Sequence, residues 1–485
     1  MVAAGTRKAH PEVLDAFSAT TDAQRRSLDA LANGAVCVVT GQQAGLFGGP
    51  LYTVYKAAAA IVNARALAIE TGTPCVPVFW LQNEDHDYDE IDHCQVLSAT
   101  GSLTHIRVEG DAGSPLRSVR ARTLDPTQAH AELAEALGSL PHAAATASLL
   151  ARCWTPDCHP DQAFKAWIEA LFAPHGLLVL DPSLPQLQDA AAPVHQRAIA
   201  EAAAISTALQ ERSEALVAAG YKVQVHVRPD APLCFVHPQG ADGPRHRVLV
   251  HGDGYRTPDG LALTADQVRK GPHSTSALLR PLLQDTWLPT AAYVGGPGEV
   301  AYFAQLPVLY DHFGLPMPMV VPRARFRVHD QTADRLLAQL GLDADALTTS
   351  RSSLLAAVAR SEDRPNPDAL LRELTEPALA ALMALAPHAR ALDPGLVKVV
   401  DKTGDSFTRQ AQRLVQRYRK TLALADDVAV SRLDRVRARL APDGVPQERV
   451  HGWPWYAARF GVDGFVRQVL DAAVPYDGTL RELRP

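Results

Sequence analysis

Residues 34–82 read GAVCVVTGQQAGLFGGPLYTVYKAAAAIVNARALAIETGTPCVPVFWLQ, and no other stretch restricts the fold as much. "GAVCVVT" (34–40) is a short β-branched run that predicts a buried strand. "PLYTVYKAAAAIVNARALAIETG" (50–72) predicts a helix, with Pro50 early and Gly72 past its end. "CVPVFWLQ" (75–82) predicts a second buried strand. Strand, loop, helix, strand is a βαβ unit, which requires parallel strands and a right-handed crossover.

The same order returns late in the chain. "PTAAYVGGPGEVAYFAQLPVLYDHFGLPMPMVVPRARF" (289–326) predicts strand, Gly-rich loop, helix, strand. Between the two units the pattern changes. "TLDPTQAHAELAEALGSL" and "PDQAFKAWIEALFAPHG" predict helices, and "LLVLDPS" (177–183) one more strand. "VQVHVRPD", "PLCFVHPQG", "HRVLVHGDG" and "YRTPDG" alternate apolar and polar residues and predict small antiparallel strands. The 485 residues exceed one ordinary domain. We divide them into a core, first part (1–110), a mainly helical segment with one core-like strand (111–230), a small β insertion (231–272), a core, second part (273–328), a helical coiled-coil domain (329–446) and a tail folding back on the body (447–485). Residues 403–440 predict one long polar helix carrying Leu414, Tyr418, Leu422, Leu433, Val436 and Leu440 at three- and four-residue steps. Its length suits an antiparallel pairing with 366–388.

Composition excludes several classes. An apolar fraction of 47% supports a sizeable core, and 21% charged residues is not the composition of a disordered chain. A net charge of −6 argues against nucleic-acid binding driven by bulk charge. The N-terminus has no apolar signal region, and no run reaches the roughly 18 apolar residues of a membrane span. A cytoplasmic location is expected. The six cysteines then read as free thiols, with Cys37 in a buried strand. Cys153, Cys158 and His159 make half a zinc motif with no second pair, so no metal site is assigned.

Three polar loops follow predicted strands, where ligands bind in doubly wound sheets. In "TGQQAGLFGGP" (40–50), Gly41 and Gly45 let the backbone approach a ligand, and Gln42 and Gln43 offer uncharged donors and acceptors. The loop is neither G-x-G-x-x-G nor a Walker A sequence, and it reads equally as a tight strand-to-helix turn. "NEDHDYDEIDH" (83–93) crowds acids and histidines at a strand end, where Glu84, Asp85, His86 and Asp87 can supply a general base, an amine anchor or a metal site. The competing role for its acids is to favour a helix dipole. "YVGGPGEVAYF" (293–303) places Gly295, Gly296 and Gly298 before a helix whose first turn carries Glu299, a ligand for an amine or ribose or else a cap. Asn83, Ser274, Arg280, Tyr302 and Arg323 complete the candidate substrate site, the arginines for a carboxylate or phosphate.

In order along the chain, "VVTGQQAGLFGGPLYTVYKAAAAI", "PVFWLQNEDHDYDEI", "LLVLDPS", "LLRPLLQDTWLPTAAYVGGPGEVAYFAQL", "MPMVVPR" and "PQERV" resemble the bacillithiol-biosynthesis cysteine-adding enzymes of the BshC family. The resemblance runs from the first strand to the tail. It implies an α/β fold: a Rossmann-like parallel-sheet core with connecting-peptide insertions and a C-terminal α-helical coiled-coil domain that forms a homodimer. It implies the last step of bacillithiol synthesis, in which the carboxyl of cysteine joins the amine of glucosaminyl malate. It also implies an ADP-type nucleotide near the helical domain.

Such a ligase must activate a carboxylate, most simply with ATP and magnesium, and deprotonate an amine. His86 or Asp87 can act as the base, Arg280 and Arg323 can hold carboxylates, and the 41–45 and 295–298 backbones can serve as oxyanion donors and nucleotide contacts. The chain departs from many ATP-dependent ligases in having neither a recognisable phosphate loop nor a Lys-rich signature. Two rival readings remain: a metal-dependent hydrolase or deacylase using 84–87, and a non-catalytic nucleotide-binding dimeric scaffold.

Overall fold

The computed structural model describes residues 7–109, 115–358, 366–424 and 427–485. They form two compact units. One comprises Met1–Arg327 with Glu448–Leu483, and the other Val328–Gln447.

The first unit is built on five parallel strands: β1 (Val36–Gln43), β2 (Cys75–Gln82), β3 (Leu178–Leu180), β4 (Thr290–Gly295) and β5 (Met319–Pro322). Their order is β5-β4-β1-β2-β3. The chain moves outward from β1 to β3, then reverses to the other side of β1, so the topological switch falls between β1 and β4. β1 runs three residues beyond the expected Thr40. Gly41, Gln42 and Gln43 are strand residues opposite Trp80, Leu81 and Gln82. A Cβ on Gly41 would lie 2.7 Å from the Trp80 carbonyl oxygen. This glycine therefore serves close strand pairing rather than a ligand loop.

Strand alternation sends Cys37, Val39, Val76, Val78, Trp80, Leu178 and Leu180 into one core, with Val13, Leu187, Leu282 and Leu309. The helix α1 (Tyr52–Thr71) packs against β1 and β2 and buries Val54, Ala58, Ile61 and Leu67. Two short helices frame the β4 side: α2 (Arg280–Trp287) precedes that strand and α3 (Pro297–Phe303) follows it.

The insertions differ in part from expectation. An antiparallel hairpin, His93–Leu97 with Leu103–Arg107, stands where no strand was anticipated. "VQVHVRPD" forms no strand. The Gln305 side chain takes both backbone groups of Val225, donating to its carbonyl at 2.9 Å and accepting from its amide at 3.2 Å. An amide side chain thus replaces a neighbouring strand. Cys234–Val236, Leu249–His251 and Gly254–Arg256 are strands, joined by Ala262–Thr264 and His273–Thr275 in two small antiparallel sheets.

In the second unit, α4 (Pro367–Leu392) and α5 (Pro394–Leu424) form an antiparallel hairpin, turning at Asp393, whose carboxylate accepts from the Gly395 amide at 2.8 Å. Within the helix expected over 403–440, α5 runs to Leu424 and α6 spans Asp427–Leu440, with 425 and 426 outside the described residues. Leu433, Val436 and Leu440 of α6 pack with Leu336, Leu340, Leu354 and Leu355 in a separate core. On α5 the buried seam is Ala411 and Val415, while Leu414 is 58% exposed. The Leu422 side chain lies outside the described residues. No helix of the described residues is long and apolar enough to cross a membrane.

Candidate active site

A cavity of about 490 Å³ opens outside the carboxyl ends of the sheet strands, at the switch between β1 and β4. Its size is that of a small-molecule site. β1 delivers Gln42 and Gln43, β2 ends in Gln82 and leads into Asn83, Glu84 and Asp85, and β4 leads into Gly296, Gly298 and Glu299. Arg280, Tyr302 and Arg323 also line it.

The floor is an ion pair that sequence reasoning missed. Lys56, buried on α1, reaches Glu299 Oε2 at 2.5 Å, the Gly41 carbonyl at 2.8 Å and Gln42 Oε1 at 3.0 Å. An ammonium has three protons, and each finds an acceptor. Glu299 also accepts from the Tyr293 hydroxyl at 2.6 Å and the Gly296 amide at 2.8 Å. Burial opposes its ionisation, but the Lys56 charge and these donors hold its carboxyl below the usual range. The signal was present in the sequence: a single lysine in the apolar run VYKAAAAI has no reason to be buried unless it is paired.

Arg280 is buried and donates to Gln284 Oε1 at 2.9 Å and to the hydroxyls of Tyr293 and Tyr302 at 3.1 and 3.2 Å. Arg323 is clasped bidentately by Glu448, at 2.8 and 2.9 Å. Both arginines line the cavity, yet their donors are engaged within the protein. The Gly296 amide, one of the expected phosphate or oxyanion donors, is likewise taken by Glu299.

The acidic loop divides. Glu84 and Asp85 line the cavity, whereas His86 and Asp87 do not. Burial pushes the Glu84 carboxyl up, against the pull of Arg245 and the Thr275 amide. Burial also works on Asp85, but hydrogen bonds from His86 and the Arg245 guanidinium, at 2.7 Å, outweigh it and hold that carboxyl well below the usual range. Adjacent carboxyls are thereby set apart, one biased toward its acid form and one ionised. The buried Asn83 amide donates to Asp161 and Asp181, both at 2.8 Å, and ties the ends of β2 and β3 together.

Ser274 lies in a smaller pocket behind Glu84. His237 Nδ1 faces the Gly243 carbonyl at 3.2 Å and so carries the proton, leaving Nε2 to accept from Ser274 Oγ at 2.9 Å. Gly41, Gly45 and Gly295 shape the surrounding backbone without lining the main cavity. Among the described residues, no three His, Cys, Asp or Glu side chains are grouped to hold a metal.

Two family descriptions match nearly the whole chain. Residues 6–324 match "Bacillithiol biosynthesis BshC, N-terminal Rossmann-like domain", and residues 326–481 match "Bacillithiol biosynthesis BshC, C-terminal coiled-coil domain". A protein of Koribacter versatilis is 33% identical over 455 residues, covering 92% of this chain and 84% of that one. One of Geobacillus thermodenitrificans is 31% identical over 481 residues, covering 95% and 86%. Both bear the name "Putative cysteine ligase BshC". With a parallel Rossmann-type sheet, a helical hairpin domain and these relatives, the chain belongs to the BshC family of bacillithiol biosynthesis.

Proposed function

We propose that this protein joins the carboxyl group of L-cysteine to the amine of glucosaminyl malate, forming an amide in the last step of bacillithiol biosynthesis. The observation that carries the reading is the pairing of Glu84 and Asp85 in a cavity at the sheet's switch point. The attacking amine arrives as an ammonium and must lose a proton. Glu84, its carboxyl raised by burial, takes that proton, while ionised Asp85 holds the positive amine in place. His86 and Asp87 lie outside the cavity and are replaced in this role by Glu84.

The cysteine carboxyl must be activated, and ATP with magnesium is the proposed co-substrate. Lys56 and the Gly296 amide are both committed internally and do not fit a triphosphate in this cavity. A nucleotide of the ADP type suits a different place. A groove of about 570 Å³ on the helical unit is lined by Arg409, Arg413, Arg417 and Lys420, at helical spacing along α5. Exposed Met383, Leu392, Val399 and Leu414 on the hairpin support a homodimer through that unit. The proposed setting is the cytoplasm.

The test is direct. Purified protein, glucosaminyl malate, cysteine, ATP and magnesium are incubated and followed by mass spectrometry. Condensed thiol with equimolar AMP or ADP supports the reading and identifies the activation route. Nucleotide binding without product would favour the scaffold reading instead.

A further inference from the structure

Five cationic side chains line the main cavity: Lys56, Arg245, Arg280, Arg323 and Arg449. Four are paired or hydrogen-bonded within the protein, although the buried Nε of Arg245 has no hydrogen-bond partner. Lys56 pairs with Glu299 at 2.5 Å, Arg245 with Asp85 at 2.7 Å and Arg323 with Glu448 at 2.8 Å, while Arg280 serves Gln284 and two tyrosine hydroxyls. Arg449 differs. It is exposed at the cavity, and among the described residues its side chain has no ion pair or hydrogen bond. Its contact is the ring of Tyr52, 6.0 Å from guanidinium to centroid, and the Arg323 guanidinium lies 5.3 Å from that centroid.

This free cation sits on a fixed frame. The residue before it, Glu448, is held bidentately by Arg323. The residues after it are pinned by backbone hydrogen bonds: Leu51 donates to the His451 carbonyl at 2.7 Å, and Gly452 donates to the Gln95 carbonyl at 2.7 Å. One residue further, the Trp453 indole donates to the Phe47 carbonyl at 2.7 Å. Arg449 is thus tied to the loop that joins β1 to α1, and its backbone need not be ordered when a ligand arrives.

We infer that Arg449, backed by the Tyr52 ring, binds a carboxylate of the amine-bearing substrate, making it the residue that selects a malyl-type dicarboxylate acceptor. The inference rests on the ligase reading for the acceptor's identity. A guanidinium takes a carboxylate through two parallel hydrogen bonds and occupies both oxygens. The cysteine carboxyl must offer an oxygen for activation, so a carboxylate held in that fork is a non-reacting one. The acceptor supplies such a group, and among the described residues Arg449 is the cavity cation with neither an ion pair nor a hydrogen bond.

The test is calorimetric titration of the full chain with glucosaminyl malate and, separately, L-malate, together with steady-state kinetics. In Arg449→Gln we expect glucosaminyl malate to bind about 10- to 100-fold more weakly, with the KM for cysteine and the melting temperature unchanged. Arg449→Lys should recover part of the loss, because a point charge lacks the planar fork. Equal affinity of wild type and Arg449→Gln would overturn the inference while leaving the ligase reading intact. Absence of binding of either probe to the wild-type protein would also overturn it. Binding of L-malate that depends on Arg449, without condensation product, would retain the anion site and reject the ligase.

Discussion

Lys56 Nζ lies 2.5 Å from Glu299 Oε2, and the pair bridges the two halves of the sheet at the switch between β1 and β4. Lys56 comes from the helix after β1 and Glu299 from the helix after β4. Lys56 is buried and Glu299 only 17% exposed, so each makes the other's charge tolerable. Removing one partner strands the other. Lys56→Met is expected to cost about 3–5 kcal/mol, because Glu299 would remain as an uncompensated buried charge. Lys56→Met with Glu299→Gln should recover a large part of that loss. A double-mutant cycle by denaturant unfolding measures the coupling, and additive losses would show that the pair is not coupled.

Acid should weaken the fold through buried histidines. Burial lowers the His237 pKa to about 4 and that of His195 to about 3, below the ordinary value of 6.5. A group whose folded pKa is depressed binds more protons when unfolded. The stability these neutral rings contribute is present above about pH 6.5, falls as pH drops from there, and for His237 is fully lost below about pH 4. His237 alone accounts for roughly 3 kcal/mol at 1.36 kcal/mol per unit. Unfolding free energies measured from pH 4 to 7 should rise with pH, and His237→Gln should flatten the slope.

Much of this was legible from short patterns. The two βαβ units gave the parallel sheet, because β-branched runs, a Pro-led helix and Gly-rich junctions all agreed locally. The acidic loop and the Gly-Gly-Pro-Gly loop were placed on the cavity rim for the same reason. What was hidden was the assignment of partners. Arg323 looked free to bind substrate because Glu448, its counterion, lies 125 positions away in sequence. Lys56 was passed over because Glu299, its counterion, lies far off in sequence and meets it only across the fold. His86 shared its loop with Glu84, but the chain keeps Glu84 and Asp85 on the cavity and His86 off it. Gln305 could not be read as a substitute strand for Val225, since side-chain amides leave no periodic trace.

The two adjacent acids should separate kinetically. Glu84→Gln removes the proposed base and is expected to lower kcat about 100- to 10,000-fold, with the fold retained. His86→Ala, one residue outside the cavity pair, should reduce the rate far less. Because burial raises the Glu84 carboxyl, the acid limb of the wild-type pH–rate profile should lie above the ordinary glutamate value. A limb unchanged in Glu84→Gln, or a larger loss in His86→Ala, would return the base role to the histidine.

Gly452 controls where the tail meets the body. Its amide donates to Gln95, and a Cβ at this position would overlap Cys94 Sγ, which is itself buried in the hairpin. Neither neighbour is the free end of a long side chain, so the clash must be met by a shift of the tail backbone. Gly452→Ala should therefore destabilise by about 1–3 kcal/mol, as overpacking does. It should also displace Arg449, three residues earlier, and weaken acceptor binding with little change in the KM for cysteine. Adding Cys94→Ala removes the colliding sulfur and should restore both properties toward wild type. Thermal unfolding and acceptor titration on the same three proteins separate the two effects: rescue of stability without rescue of binding would show that Arg449 is not held through Gly452.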